Sequence, residues 1–243
     1  MILYYAVGGG LGHLARARRV LTKLGLSGRA AILTTAGAPE LAGGIPTLHP
    51  SDGIDYASFE RLIVDAFPSG LLGELKDVDM PMDYVARLLK WSDYAAATGA
   101  VMRRFETTYV VEPVTHAIDS ESFVDLDLRE SPVEAEPEDF WLVAHSGEEA
   151  EVQQLVRYAR ELQEVEGIVA PIEVARRTFP LAPLLARAAR IVSAAGFNLM
   201  LETEPFREKH HPLPLPRRFD DQFTRAARRR GASAQAAVHL PPA

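Results

Sequence analysis

The chain contains no cysteine. That excludes disulfides, thiolate metal sites and a cysteine nucleophile, and leaves any metal to nitrogen or carboxylate ligands. No apolar run approaches the roughly 18 residues a membrane-spanning helix needs. The opening MILYYAVGGG has neither the basic start nor the small-residue cleavage site of a secretory leader, so a soluble cytoplasmic protein is the expectation. Positive charge is short as well: 26 Lys and Arg face 33 Asp and Glu, a formal net charge of −7. A nucleic-acid partner is therefore not expected, because such partners are held by a positive surface that releases phosphate counterions. Local basic patches leave peripheral contact with anionic lipid open. The absence of a repeat with a period of roughly 20–50 residues argues against solenoids and propellers.

What is present is 243 residues, 47% of them hydrophobic, enough for one large core or two small ones. Strand followed by helix is the recurring pattern. Ile2–Val7 is a short run of strand formers, followed by a glycine-rich loop and by His13–Leu26 with Leu14, Ala17, Leu21 and Leu24 at helical spacing. Ala30–Leu33 and Arg61–Ala66 read as further strands. Between Met82 and Phe105, the spacing of Tyr84, Leu88, Leu89 and Trp91 predicts helix, and Thr107–Val111 predicts strand. Arg129–Asp139, with five acidic residues and two prolines, reads as an interdomain linker.

After it the alternation restarts: strand at Phe140–His145, helix at Glu148–Glu164, strand at Gly167–Ala170, helix at Leu181–Ala189 and strand at Ile191–Ala194. Helix at Asn198–Glu204, strand at Leu213–Leu215 and helix at Asp220–Arg230 complete the pattern. The expected fold is α/β with parallel sheets, in two Rossmann-like domains, residues 1–131 and 132–243.

Several stretches carry candidate chemistry. Gly8, Gly9, Gly10 and Gly12 lie between the first strand and the first helix, where backbone amides meet anions or sugars. A dinucleotide reading fails there, since His13 stands at the third glycine position and Thr34-Thr35 where a ribose-binding acid belongs. The same glycines could merely permit a tight turn. His13 opens a helix whose positive end favours neutral imidazole, the form a general base must have; it could also be a simple cap. Ala194–Glu202 follows a strand and opens a helix: Gly196 allows close backbone approach, Phe197 and Asn198 start the helix with Asn198 as N-cap, and Glu202 shares a face with Asn198. Asp220 is the expected cap of the last helix, with Asp221 and Gln222 in its first turn, able to bond sugar hydroxyls. Asp65 ends a strand at the same rim as the first glycine loop. His210-His211 carries no metal site, because adjacent strand side chains diverge.

Together GGGLGH, AAGFNLMLE and PRRFDDQFTRA, in this order and spacing, resemble the GT-B glycosyltransferases of the family 28 type. The branch concerned contains the lipid-II-forming N-acetylglucosaminyltransferase and its relatives. Asp65–Leu75 is similar to a DxFPxGxxGEL-like stretch of those relatives, as is Val110–Pro113 to a second stretch. The resemblance implies two domains facing across a cleft, and an inverting, metal-independent transfer from a nucleotide-diphosphate sugar, with no cofactor. It places the diphosphate at Gly196 and Asn198, the ribose at Glu202 and the sugar at Asp221 and Gln222. A small-molecule or lipid-linked acceptor falls to His13 and its glycine loop. The chain is shorter than such enzymes usually are, has His145-Ser146-Gly147 where relatives show a glycine pair, and has Ser69 where a basic residue is expected. A non-catalytic sugar-nucleotide-binding protein or a sugar-nucleotide epimerase on the same fold is the alternative.

Overall fold

A computed structural model describes residues 1–8, 10–176 and 178–231. The chain divides into two units: Met1–Leu128 with Arg218–Asp221, and Arg129–Arg217 with the described residues from Gln222 on. The sequence reading had drawn one boundary, after residue 131.

The first unit is built on seven strands: β1 (Ile2–Tyr5), β2 (Ala30–Leu33), β3 (Thr47–Leu48), β4 (Arg61–Asp65), β5 (Met82–Ala86), β6 (Arg104–Val110) and β7 (Asp119–Asp125). Its helices are α1 (Leu11–Lys23) and α2 (Trp91–Thr98). Every neighbouring pair is parallel, in the order β3-β2-β1-β4-β5-β6-β7. β1 is buried along its whole length because it lies mid-sheet with both faces covered, which is why it reads as an unbroken apolar run. α1 buries Leu14, Ala17, Val20 and Leu21 at helical spacing. Strand order reverses at β1, with β2 on one side and β4 on the other, so the loops after β1 and β4 flank the crevice where open α/β sheets take ligands.

One expectation fails here. Met82–Ala86 is a strand and only Trp91–Thr98 is helical. All five residues of β5 are buried, Asp83 included, so burial there has no period of two, and the nearness of Tyr84 to Leu88, Leu89 and Trp91 mimicked helical spacing. Tyr84 stacks on Phe105 at 5.0 Å in the core. β7, DSESFVD, is an exposed acidic edge strand, and acidic residues on an edge resist unwanted pairing at the cost of any apolar signature.

The second unit contains β8 (Glu138–Ala144), α3 (Glu149–Glu166), β9 (Ile172–Ala175), α4 (Ala182–Arg187), β10 (Ala188–Ala194), α5 (Phe197–Glu202), β11 (His210–Leu213) and α6 (Gln222–Arg229). Its four parallel strands run β11-β10-β8-β9, reversing between β8 and β10. α3 packs Val152, Leu155, Val156 and Ala159 on Trp141, Val143 and Val192. Each fully buried Val or Leu contributes about 1.5–3 kcal/mol. Phe140, Leu142, Leu185 and Ile191 form the core on the opposite face. The strand expected at Gly167–Ala170 lies at Ile172–Ala175 instead: Gly167, at φ 67°, is the left-handed residue that closes α3. β11 likewise runs from His210 to Leu213 rather than over Leu213–Leu215. Among the described residues, no helix is long and apolar enough to cross a membrane.

Candidate functional site

Because β1 and β4 are neighbours, the first turn of α1 meets the end of β4. His13 and Arg16, three residues apart on one helix face, both reach Asp65, the last residue of β4. Arg16 grips the carboxylate with Nε at 2.9 Å from Oδ1 and Nη2 at 2.7 Å from Oδ2. His13 Nδ1 stands 3.2 Å from the same Oδ2. Arg16 Nη2 also lies 3.2 Å from His13 Nδ1, where it can donate to the ring when Nδ1 is unprotonated. In the tautomer that carries its proton on Nδ1 and donates it to Asp65, Nε2 keeps its lone pair.

Asp65 is fully buried and Arg16 is 3% exposed. Burial pushes the Asp65 carboxyl up, but Arg16 and the His13 hydrogen bond outweigh it and hold it well below the usual carboxylate range. Burial lowers the His13 imidazole against the pull of Asp65, so the ring is neutral at physiological pH. Phe67 stacks on the ring at 5.6 Å and 22°. On the other side, a Cβ placed on Gly8 would lie 2.5 Å from His13 Nε2, so only glycine lets the backbone pass there. The Thr35 hydroxyl holds that stretch by donating to the Gly8 carbonyl at 3.1 Å.

Gly9 falls outside the described residues. Gly10 is the exposed N-cap position of α1 and Gly12 lies in its first turn. Arg16 was missed by sequence reasoning. Its one signal was the His-x-x-Arg spacing, which acquires meaning only opposite a buried acid.

Segment Arg218–Asp221 belongs to the first unit. Phe219 packs edge-on against Phe67 at 6.0 Å and Tyr94 at 5.4 Å, behind the ring that stacks on His13. Asp220, expected as a helix cap, instead accepts from Arg87 at 2.5 Å. Helix α6 starts only at Gln222, so Asp221 precedes it rather than occupying its first turn; it lines a cavity with Trp91 and His116.

In the second unit, Gly196 is the N-cap residue of α5, displacing Asn198, which sits inside the helix; Glu202 is its last residue. The helix starts at Phe197 because Gly196 is still extended, at φ −70° and ψ 146°. Gln222 is buried and its Oε1 accepts the Leu215 amide at 3.0 Å. A Cβ on Gly196 would meet only Gln222 Nε2, at 3.9 Å. Arg225 donates to the Ala195 carbonyl at 2.9 Å and lies over the Phe197 ring. The structure thus brings Gly196, Phe197 and Gln222 together and puts Asp221 with the first unit.

A second cluster follows β8. His145 Nε2 lies 2.7 Å from Glu151 Oε2, and Arg217 pairs with both oxygens of Glu151. The Arg217 hydrogen bond lowers the Glu151 carboxyl despite partial burial. A Cβ on Gly147 would clash with both His145 and Glu151. His210 and His211 diverge as expected of a strand. His210 bonds Ser193 and Thr203 in the interior, whereas His211 stacks on Trp141. Among the described residues, no group of three or more His, Asp or Glu is placed to hold a metal ion.

The two units are Rossmann-like α/β folds, the first with a buried His–Asp–Arg cluster at its topological switch point. The sequence matches no protein-family model and none of the curated proteins it was compared with.

Proposed function

We propose that the protein is an inverting glycosyltransferase of GT-B type, moving a sugar from a nucleotide-diphosphate donor to an acceptor hydroxyl. The observation that carries the reading is the His13–Asp65 pair at the carboxyl edge of β1 and β4. Asp65 orients the ring and stabilises the imidazolium that forms when Nε2 removes the acceptor proton. Phe67 and the Gly8 backbone fix the ring plane, so the lone pair faces one direction. Gly10, Gly12 and Asp65 belong to the acceptor side in this reading. Gly196, Phe197, Asn198, Glu202, Asp221 and Gln222 belong to the donor side, with backbone amides offsetting charge on the leaving diphosphate. The three motifs that resemble the family support the assignment independently of the dyad.

The test is turnover with a panel of nucleotide-diphosphate sugars, measured as release of nucleotide diphosphate. His13→Ala should lower turnover by roughly a hundredfold or more while leaving donor affinity nearly unchanged. The acid limb of the pH–rate profile should vanish with it. Donor affinity that collapses together with turnover would make His13 a binding residue, and wild-type turnover in the variant would remove it from the reaction.

A further inference from the structure

Parallel neighbours are ordinarily joined by a crossover of a dozen or more residues, usually a helix that covers the sheet. Residues 111–118 carry β6 into β7 with no helix among them. β7 ends the sheet as a strand open on both faces: every residue of Asp119–Asp125 except Ser120 is exposed, with Phe123 at 38% and Val124 at 41%. The Leu126 amide donates to the Val110 carbonyl at 2.9 Å, in a register that pairs Val110 with Asp125. Alternate residues of a parallel strand turn their backbone to one neighbour, so Ser120, Ser122 and Val124 face β6 while Glu121, Phe123 and Asp125 face outward. Among the described residues, no backbone group bonds those three from the open side. Side chains alternate as well, which puts Glu121, Phe123 and Asp125 on one face at intervals of two.

Edge strands are ordinarily blunted by shortness, proline, lysine or a bulge. β7 has seven residues, contains neither proline nor lysine, and keeps an unbroken register with β6. Its protection is charge of one sign. Asp119, Glu121 and Asp125 stand on it without a cation of its own, and Arg104 of β6 comes only to 3.4 Å from Glu121. Arg61 is taken by Asp83 and by Glu106 of β6. A second copy of β7 laid antiparallel on this edge about Phe123 would set Glu121 against Asp125 twice, and like charges directly opposite are unfavourable. The same carboxylates attract a strand whose cations fall at those positions.

We propose that the open edge of β7 takes up an extended basic segment of a partner protein as an eighth strand of this sheet. Lys or Arg then stands opposite Glu121 and Asp125, with an apolar residue between them opposite Phe123. The outward backbone groups of Glu121, Phe123 and Asp125 supply hydrogen bonds whatever the partner's sequence, and the alternating side chains select it. The required pattern, two basic residues four apart with an apolar residue midway, reads the same in either strand direction. Neither His13 nor any residue of the donor side takes part.

The experiment is fluorescence polarisation of the full chain with a labelled peptide of sequence Lys-Thr-Tyr-Val-Lys between flanking glycines. It should bind with a Kd on the order of 100 μM at low salt, and more weakly as salt rises. Replacing both lysines with glutamate should abolish binding. Methylating every amide nitrogen from the first lysine to the second keeps the charges but removes the ladder donors, and should weaken binding about tenfold or more. Phe123→Pro removes an outward amide without touching the ladder to β6 and should have a similar effect. The double variant Glu121→Lys with Asp125→Lys, at two exposed positions, should transfer the preference from the lysine peptide to the glutamate peptide. Absence of binding of the lysine peptide to the wild-type chain up to about 1 mM would overturn the proposal. Equal binding of the methylated peptide would reduce the contact to charge alone and overturn it too, as would an unchanged preference in the double variant. A concentration-dependent dimer of the wild-type chain that Phe123→Pro abolishes would give the edge to a second copy instead.

Discussion

Each unit places a histidine, a carboxylate and an arginine together just past its first strand, with a glycine pressed against the imidazole. In the first unit the carboxylate and guanidinium, Asp65 and Arg16, are 0% and 3% exposed; in the second, Glu151 and Arg217 are 24% and 32% exposed. The same residue types therefore face different physics. Water screens the second cluster and leaves its side chains room to move, whereas the first must keep its geometry because each buried charge depends on its partner. The hydrogen bonding differs too. His13 spends Nδ1 on Asp65 and keeps Nε2, while His145 spends Nε2 on Glu151. The buried acid behind the imidazole, rather than the presence of the three residue types, is what sets the first cluster apart.

The largest test of that contrast is Asp65→Ala. It removes the carboxylate paired with the buried Arg16 guanidinium and should cost about 3–5 kcal/mol, read from urea denaturation and from hydrogen exchange of the β1 and β4 amides. A loss below about 1 kcal/mol would show that water reaches the cluster and would erase the distinction.

Next in size is a pH effect in which the second unit exceeds the exposure of its own cluster. His210 is buried between Ser193 and Thr203, and burial lowers its imidazole to about 3. The unfolded chain takes up a proton near pH 6.5 that the folded chain refuses, so this contribution is full above that pH and falls as pH drops toward 3. Between pH 7 and about pH 4 the loss from this residue should be about 3 kcal/mol. His210→Phe should remove that share of the slope in denaturation series across pH. The Ser193 and Thr203 hydroxyls retain bonds to the Ala194 and Leu199 carbonyls in the variant. An unchanged slope would mean that His210 titrates normally.

Gly8→Ala comes third. Its Cβ would overlap His13 Nε2, and with the ring held by Phe67 and Asp65 the strain should cost about 1–3 kcal/mol. Gly147→Ala, against side chains that can swing into solvent, should cost less, and a reversed order in thermal denaturation would invert the comparison. The smallest effect belongs to Glu151→Gln, which should change stability by about 1 kcal/mol or less, with the remaining difference removed by salt.

Much of the scaffold was legible from pattern alone. The apolar runs Ile2–Tyr5 and Ala30–Leu33 and the amphipathic stretches that became α1 and α3 carry periodicities that few alternatives satisfy. His13 and Asp65 could each be nominated because both end up where a strand gives way to a loop at one rim. Their pairing could not: 52 residues separate them, and only the adjacency of β1 and β4 brings them within 3.2 Å. Arg16 looked like any helical arginine until a buried carboxylate stood opposite it.

Local sequence thus determined which segments are strands and helices wherever one face is apolar, the parallel α/β class and the glycines that punctuate it. Tertiary structure alone decided that Phe219 and Asp220 join the first unit while Gln222 belongs to the second, and that His116 is left without a hydrogen-bond partner among the described residues. Periodicity records whether a residue meets the interior. It carries no record of which distant group waits there, and burial, charge pairing and tautomer all depend on that group.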